Sequence, residues 1–251
     1  MQSSLEAARK QVRAARAISV LTGAGVSAES GIPTFRSNGG FWRNNRFEDL
    51  ATPAGFARDP KFVREWYEER RRGIAATHPN PAHFAIAELE RRAQQFTLIT
   101  QNVDGLHRAA GSKNIIHLHG DIWTLRCTGC NFKEENRNPL TDLPPRCECG
   151  ALIRPGVVWF GEMLPEGAIE RATTAVIESD VLFVIGTSAQ VFPAAGLIPL
   201  AIRRGATVIE VNPEETDFSE AVAFALRGPA AEIVPKLLQP LLPGEHGFSH
   251  S

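Results

Sequence analysis

Residues 19–42, SVLTGAGVSAESGIPTFRSNGGFW, decide the fold of this chain. They continue a short apolar run, residues 18–21, whose length and β-branched content are typical of a buried parallel strand. The run ends in Gly23-Ala24-Gly25-Val26-Ser27-Ala28, which matches the Gly-x-Gly-x-x-Gly/Ala turn of dinucleotide-binding sheets. Glycines let such a turn bring backbone N–H groups close to a pyrophosphate. The stretch therefore predicts a nucleotide site at the end of the first strand.

The residues after this turn differ from those of a standard dehydrogenase. A glycine turn alone can be purely structural, and Pro33 with Gly39-Gly40 argues against a long helix behind it. No acidic residue ends a strand about 20 residues further on, where a dehydrogenase binds its ribose. Residues 34–45 are instead predicted to form a long loop, of a length usually reserved for function.

Composition narrows the class of protein. The 251 residues are 43% apolar, enough for one large or two small domains, and their formal net charge is −1. This charge gives no reason to expect nucleic acid or an acidic membrane as a partner. No apolar run approaches the ~18 residues of a membrane span. Residues 1–16 indicate an amphipathic first helix rather than a signal peptide, so a soluble, cytoplasmic protein is expected.

Short apolar runs alternate with amphipathic stretches along the chain. Helices are predicted at 81–94, 166–179, 194–204 and 230–238, and at 47–77 with breaks near Pro53 and Pro60. Strands are predicted at 18–21, 96–100, 115–118, 181–185 and 207–211, with a further apolar run at 157–160. This alternation predicts an α/β fold with a parallel sheet.

Polar or glycine-bearing segments follow five of the predicted strands. Parallel sheets bind their ligands beyond the carboxyl ends of the strands, so these segments should meet on one rim. They are Gly23-Ala24-Gly25, Gln101-Asn102-Val103-Asp104, His119-Gly120, Gly186-Thr187-Ser188 and Asn212. Their convergence, more than any single motif, predicts an active site.

All four cysteines lie close together, as Cys127-x-x-Cys130 and, after sixteen intervening residues, Cys147-x-Cys149. Two close pairs can place four thiolates around Zn²⁺, although the second pair is one residue shorter than the usual Cys-x-x-Cys. Two disulfides are disfavoured in a reducing cytosol, and the clustering disfavours four unrelated core cysteines. We predict one structural zinc, closed to catalysis because four thiolates leave no open position.

One of the seven histidines, His119, ends an apolar run directly before a glycine on the predicted rim. A histidine there can act as a general base near neutral pH. His117 would share its face in a strand, so spacing does not choose between the two, and either can be a structural histidine.

Several of these motifs together resemble the sirtuins, the NAD-dependent protein lysine deacylases. The motifs are GAGVSAESGIPTFR at 23–36, TQNVDGLH at 100–107, His119-Gly120, the cysteine pairs, VVWFGE at 157–162, GTS at 186–188 and Val211-Asn212. The resemblance covers residues 10–240 in the order of the family. It implies a Rossmann-like domain built from 1–35, 93–120 and 156–251, and a small domain built from a helical insertion, 36–92, and a zinc module, 121–155.

The resemblance also implies roles for individual residues. Phe35 and Arg36 would lie on the loop over the nicotinamide ribose, and His119 matches the general base of the family, which decides against His117. The residues that would bind NAD are Gly23, Ala24, Gly25, Ser27, Ile32, Phe35, Arg36, Gln101, Asn102, Asp104, Gly186, Thr187, Ser188, Asn212 and Ala230.

The reaction of the family implies that NAD is consumed. The acyl oxygen of the substrate attacks the nicotinamide ribose, nicotinamide leaves and an alkylimidate forms. His119 would then deprotonate a ribose hydroxyl, and the products would be the free lysine and O-acyl-ADP-ribose. Segments 157–161 and 189–192 would bind the acylated lysine of a protein by main-chain pairing.

Tyr67 and Arg70 suggest which acyl group is removed. They are three residues apart in WYEERRR, 66–72, so on a helix they share a face. A phenol beside a guanidinium is a good receptor for a carboxylate. This pair resembles the sirtuin subgroup that removes succinyl and malonyl groups, whose bacterial-type members commonly also remove acetyl. A solvated charged helix face is the alternative interpretation.

Three other functions compete with this one. The enzyme could be predominantly a deacetylase, or it could transfer single ADP-ribose units to proteins. The chain could also be a non-catalytic NAD-sensing module, which loss of His119, Asn102 or Asp104 would favour. All three residues are present.

Overall fold

The computed structural model describes residues 2–34, 41–42, 45–46 and 50–239. In these residues the helices are α1 (Gln2–Ala14), α2 (Pro53–Arg58), α3 (Pro60–Ala75), α4 (Pro81–Arg92), α5 (Leu106–Ala109), α6 (Ala168–Glu178), α7 (Leu197–Arg203) and α8 (Ala230–Leu238), with 3-10 helices at Ala24–Ser30 and Ala194–Gly196. The strands are β1 (Ala17–Thr22), β2 (Phe41–Trp42), β3 (Asn45–Arg46), β4 (Gln95–Thr100), β5 (Ile115–His117), β6 (Gly120–Cys127), β7 (Lys133–Glu135), β8 (Ile153–Val157), β9 (Val181–Ile185), β10 (Thr207–Asn212) and β11 (Phe224–Arg227). None of these helices is long and apolar enough to cross a membrane.

Six strands form a parallel sheet in the order β11–β10–β9–β1–β4–β5. In chain order this is the 3-2-1-4-5-6 arrangement of the Rossmann fold, so the predicted α/β fold is confirmed. The strand order reverses between β1 and β9. Ligands of such sheets bind in the crevice at this reversal, outside the carboxyl ends of the strands.

Helices cover both faces of the sheet, which explains why its central strand is apolar throughout. All six residues of β1 are buried. Because successive side chains of a strand point to opposite faces, Val20 packs into a cluster with α1, α4 and α8, whereas Leu21 packs into a second cluster with α6 and α7.

A smaller antiparallel sheet, β7–β6–β8, lies outside the parallel one. A third apolar cluster joins it to α2 and α3 through Phe56, Trp66, Tyr67, Ile122 and Trp123. This arrangement places β6 between the two parts of the structure, since it begins directly after His119 and ends at the first cysteine.

The predicted helix breaks at Pro53 and Pro60 are confirmed. Each proline begins a helix, and the side chain before it caps that helix, with Thr52 Oγ1 accepting the Gly55 N–H at 3.0 Å in α2. The strands β6 and β11 are not predicted from the sequence. Part of the predicted loop 34–45 lies outside the described residues.

Helix α4 packs against the large sheet, although the predicted domain division assigns it to the helical insertion. Its Ile86 lies in the same cluster as Val20 and residues of α8. The division of the chain into two domains stays a prediction.

Candidate active site

The glycine turn after β1 packs directly against the strand end after β9. The Gly25 N–H donates to the Gly186 carbonyl at 2.7 Å, and the Gly23 N–H donates to the Ile185 carbonyl at 3.1 Å. A Cβ atom on Gly23 or Gly25 would lie 2.8 Å from atoms of Gly186, so only glycine fits at both positions. The predicted glycine turn therefore lies at the reversal of the strand order, where a dinucleotide fits.

Ser27, Asn102 and Asp104 form one buried hydrogen-bonded set beneath this turn. The Ser27 hydroxyl donates to Asp104 Oδ2 at 2.8 Å and accepts the Asn102 side-chain N–H at 3.2 Å. Asp104 Oδ1 accepts the Leu106 N–H at 2.8 Å. Burial raises the pKa of Asp104, and the Leu106 and Ser27 donors oppose this rise. Three predicted cofactor residues from two strand ends thus meet.

Two buried histidines that the sequence analysis did not single out support the set from below. His83 Nδ1 accepts the Asn80 N–H at 3.2 Å, so its Nε2 carries the proton and donates to Ser27 Oγ at 3.3 Å. The His107 ring lies 4.8 Å from that of His83 and contacts Thr22 Oγ1 at 3.0 Å. Burial lowers the pKa of His83 to about 4, which keeps it neutral. The position of His83 on the apolar side of the predicted helix 81–94 is the sequence signal that indicates its burial.

His119 lies at the same rim with a defined tautomer. Its Nδ1 is 3.1 Å from the Gln101 carbonyl, which only accepts, so Nδ1 carries the proton and Nε2 is the basic nitrogen. Burial lowers the pKa of His119, and the Gln101 carbonyl partly opposes this. The ring is therefore neutral near pH 7 and able to accept a proton. The Gln101 side chain donates to Thr187 Oγ1 at 3.0 Å, which ties the ends of β4 and β9 together.

His117, the alternative base, ends β5 and is half-buried. Its Nδ1 makes no hydrogen bond within the described part of the chain, and burial lowers its pKa as well. Of these two histidines, His119 alone has a bonded partner among the described residues that fixes its tautomer, which supports it as the base. The assignment stays a prediction.

Asn212 and Ala230 lie at the far end of the rim. The Asn212 side-chain N–H donates to the Glu214 carbonyl at 3.0 Å. Ala230 is the first residue of α8, and the next N–H donates to the Glu29 carboxylate of the glycine-turn 3-10 helix at 3.2 Å. The start of α8 is thus held beside the glycine turn.

Three other predicted residues surround this site. Ala24 and Ser188 are half-buried beside the glycine turn and after β9, and Ile32 packs against the third apolar cluster. The two residues predicted to cover the nicotinamide ribose, Phe35 and Arg36, lie outside the described residues.

Tyr67 and Arg70 lie next to the rim on α3. The Tyr67 hydroxyl is buried and accepts the Trp159 Nε1–H at 2.8 Å. Burial raises the pKa of Tyr67 to about 12, and the Arg70 guanidinium is the largest opposing influence. Burial lowers the pKa of Arg70, whereas Tyr67 and Asp104 raise it. The charge of Arg70 thus interacts with both Tyr67 and Asp104. Its role as a receptor for an acyl carboxylate stays a prediction.

The four cysteines form one cluster at the far end of β6. Their sulfur atoms all lie within 4.8 Å of one another, with Cys127 Sγ 3.5 Å from Cys149 Sγ and Cys130 Sγ 3.6 Å from Cys147 Sγ. Tetrahedral Zn²⁺ with bonds of about 2.3 Å needs sulfurs about 3.8 Å apart. The Gly129 N–H donates to Cys127 Sγ at 3.2 Å and, with smaller contributions from Cys149 and Cys130, lowers the pKa of that thiol to about 6. The cluster, including the short Cys147-x-Cys149 pair, fits one structural zinc.

Known proteins are similar to this chain in sequence and in fold. A protein-family model described as the Sir2 family matches residues 23–193, more than half of the chain. NAD-dependent protein deacylase 1 of Archaeoglobus fulgidus is 49% identical over 232 residues, which cover 92% of this chain and 95% of that protein.

Solved structures are similar over almost the whole chain. A crystal structure described as a Sir2 homologue–NAD complex has a TM-score of 0.90 at 48% identity, covering 94% of this chain and 93% of that one. A Sir2 structure described as a complex with an inhibitor, 2'-O-acetyl-ADP-ribose and a deacetylated peptide has a TM-score of 0.83 at 30% identity, covering 96% and 98%.

Proposed function

This chain belongs to the Sir2 family and is an NAD-dependent protein deacylase, and we propose that it removes succinyl, malonyl and also acetyl groups from lysine side chains of proteins. The products are nicotinamide, the free lysine and O-acyl-ADP-ribose. The observation that carries the acyl assignment is the buried Tyr67 hydroxyl, held at 2.8 Å by Trp159 in the field of Arg70.

The rim residues bind and orient the cofactor. NAD, when bound, supplies the ribose carbon that takes the acyl oxygen as nicotinamide leaves. The glycine turn and the start of the 3-10 helix Ala24–Ser30 receive the pyrophosphate, and the Ser27–Asn102–Asp104 set holds the nicotinamide ribose. His119 Nε2 accepts the proton of a ribose hydroxyl, since its Nδ1 proton is held by the Gln101 carbonyl.

Tyr67 and Arg70 bind the carboxylate at the end of a succinyl or malonyl group. The pKa of about 12 keeps the Tyr67 phenol protonated at neutral pH, so it donates a hydrogen bond. Its oxygen already accepts from Trp159 Nε1, which directs that proton elsewhere. Arg70 adds the opposite charge. Both groups lie on one face of α3, as the spacing predicts.

The acyl-lysine segment of the substrate pairs with the two segments that flank the site. Residue 157 ends β8 and 158–161 follow it, and 189–192 lie after β9. They expose apolar side chains to solvent, including Phe160 at 47% and Phe192 at 72%. Such exposed apolar side chains are typical of a surface that a partner, such as an extended peptide, covers.

The acyl assignment is tested with one peptide carrying succinyl-, malonyl- or acetyl-lysine, with and without NAD. We expect Arg70→Met to lower kcat/KM for the succinyl and malonyl peptides by at least about 100-fold, because a charge-assisted bidentate contact is lost, and to spare the acetyl peptide. Arg72→Met, two residues on and exposed, is the matched control and should change neither rate.

Each other outcome has a definite meaning. Equal loss for all three peptides would make Arg70 structural and the enzyme predominantly a deacetylase. Transfer of ADP-ribose to protein in place of O-acyl-ADP-ribose would support the transferase alternative. No NAD-dependent release of nicotinamide by the wild type would contradict the proposed function itself.

A further inference from the structure

Trp123 lies in the middle of β6, between the rim and the cysteine cluster. It follows His119 by four residues and precedes Cys127 by four. Its side chain is 3% exposed in the third apolar cluster. A strand with the catalytic histidine before it and a metal ligand at its end is a direct covalent connection between the two sites.

Trp123 also contacts the cofactor loop. Its indole Nε1–H donates to the backbone carbonyl of Asp104 at 2.7 Å. The preceding residue of β6, Ile122, donates its backbone N–H to the Val103 carbonyl at 3.0 Å. Two consecutive residues of β6 therefore hold two consecutive carbonyls of the loop that carries Asn102 and Asp104.

The indole lies in close contact with Gly105, the next residue of the loop. Gly105 has φ of +83°, and a Cβ atom there would lie 3.1 Å from Trp123 Nε1 and 3.2 Å from its Cδ1. The loop can thus approach the ring only because this position is glycine.

Two arginines fix the orientation of the indole. The guanidinium carbons of Arg71 and Arg137 lie 5.2 and 5.1 Å from its ring centre. Arg71 is itself held by the backbone carbonyls of Ile122, Asn136 and Asn138 at 2.9–3.1 Å. The ring is therefore immobilised by α3 and by the segment after β7, both outside the parallel sheet.

We propose that Trp123 is a positioning residue that transmits the geometry of the zinc-binding sheet to the cofactor loop. It holds the Asp104 backbone, and the Asp104 carboxylate holds Ser27, which in turn accepts from Asn102. Loss of the indole N–H leaves this set free to shift relative to the glycine turn. The inference rests on the proposed function, because it requires that Asn102 and Asp104 contact NAD.

The first test replaces the donor and keeps an aromatic ring. We expect Trp123→Phe to raise the Kd for NAD, measured by titration calorimetry, and the KM for NAD about tenfold, the effect of one lost hydrogen bond to a buried carbonyl. The kcat should fall less. The control is Ile74→Val, in the same cluster but on α3, which should lower thermal stability alone.

The second test keeps the tryptophan and displaces it. Gly105→Ala and Gly111→Ala both place alanine at a positive φ, but the Cβ of Ala at 111 would meet only the tip of Arg91 at 3.7 Å. Both variants therefore carry the strain of an alanine at positive φ, at +83° for residue 105 and +102° for residue 111. Only Gly105→Ala should weaken NAD binding, with zinc content unchanged in both.

The result that would overturn the proposal is NAD binding by Trp123→Phe and Gly105→Ala equal to that of their controls, since packing alone would then explain the tryptophan. Wild-type protein that binds NAD but releases no nicotinamide would contradict the proposed function, whereas the calorimetric comparison would still decide the role of Trp123.

Discussion

The two halves of α3 each bury an arginine, and they treat it in opposite ways. The Arg71 guanidinium, in the C-terminal half, donates to three backbone carbonyls at 2.9–3.1 Å and pairs with Glu68 at 3.2 Å. Arg64, two turns earlier, is 0% exposed, and within the described part of the chain none of its three guanidinium nitrogens has a hydrogen-bond partner. The same residue type is thus satisfied in one half and unsatisfied in the other.

The two arginines show that a buried guanidinium can either support the fold or lower its stability. Removing a cation from water is unfavourable unless hydrogen bonds and an opposite charge replace the water. Arg71 has both. Burial and, after it, the nearby charge of Arg71 lower the pKa of Arg64 to about 10, and Glu68 and Tyr67 only partly compensate. The unfavourable charge lies beside the proposed acyl receptor, the kind of place where proteins give up stability for function.

The largest expected effect comes from replacing Arg71, the buried arginine whose hydrogen bonds are satisfied. Arg71→Met leaves three carbonyls without their donor and leaves Glu68 buried without its ion-pair partner, so we expect the free energy of unfolding to fall by about 3–5 kcal/mol. Urea denaturation measures this. The exposed Arg72→Met should stay within about 0.5 kcal/mol of wild type. A loss below 1 kcal/mol for Arg71→Met would mean that the two arginines do not differ as described.

An intermediate effect is expected from protonating His83, which supports the hydrogen-bonded set beneath the glycine turn. His83 is neutral in the folded protein with a pKa of about 4, against about 6.5 in the unfolded chain. The unfolded chain therefore binds more protons between these values, so stability is complete above pH 6.5 and falls by up to about 3 kcal/mol as the pH falls towards 4.

Thermal unfolding between pH 4 and 7.5 measures this pH dependence. His83→Gln should remove that part of it, whereas His78→Gln, at an exposed position just before α4, should leave it unchanged. An identical slope in all three proteins would show that the buried imidazole is not the group that titrates.

The smallest expected effect has the opposite sign. Arg64→Met should raise the free energy of unfolding by about 1–3 kcal/mol, because a buried unpaired cation is replaced by an apolar side chain of similar length. The same urea titration measures it. Destabilisation by this variant would show that Arg64 is compensated after all, and the contrast between the halves of α3 would disappear.

The sequence predicts the parallel sheet well and the antiparallel one poorly. Strands such as β1 and β9 are continuous apolar runs, because helices cover both of their faces. Strand β6 mixes buried and half-buried residues without strict alternation and lies within a polar, cysteine-rich stretch. Its partner β8 follows about 30 residues later and pairs with it through an irregular register. Its pairing therefore leaves little local signal. The apolar pattern of residues 81–94 places Phe84 on the apolar side of α4, but the structure leaves it 52% exposed.

What the sequence by itself determined is local chemistry: the glycine turn, the polar strand ends, the proline helix starts and the two cysteine pairs. Each of these is written in a few consecutive residues whose backbone preferences do not depend on distant neighbours. What only the tertiary structure decided is which polar groups meet: His83 with Ser27, Trp123 with Asp104, and carbonyl partners for Arg71 but none for Arg64. These contacts join residues far apart in the chain, and the free energy of a buried polar group depends on whether folding brings it a partner.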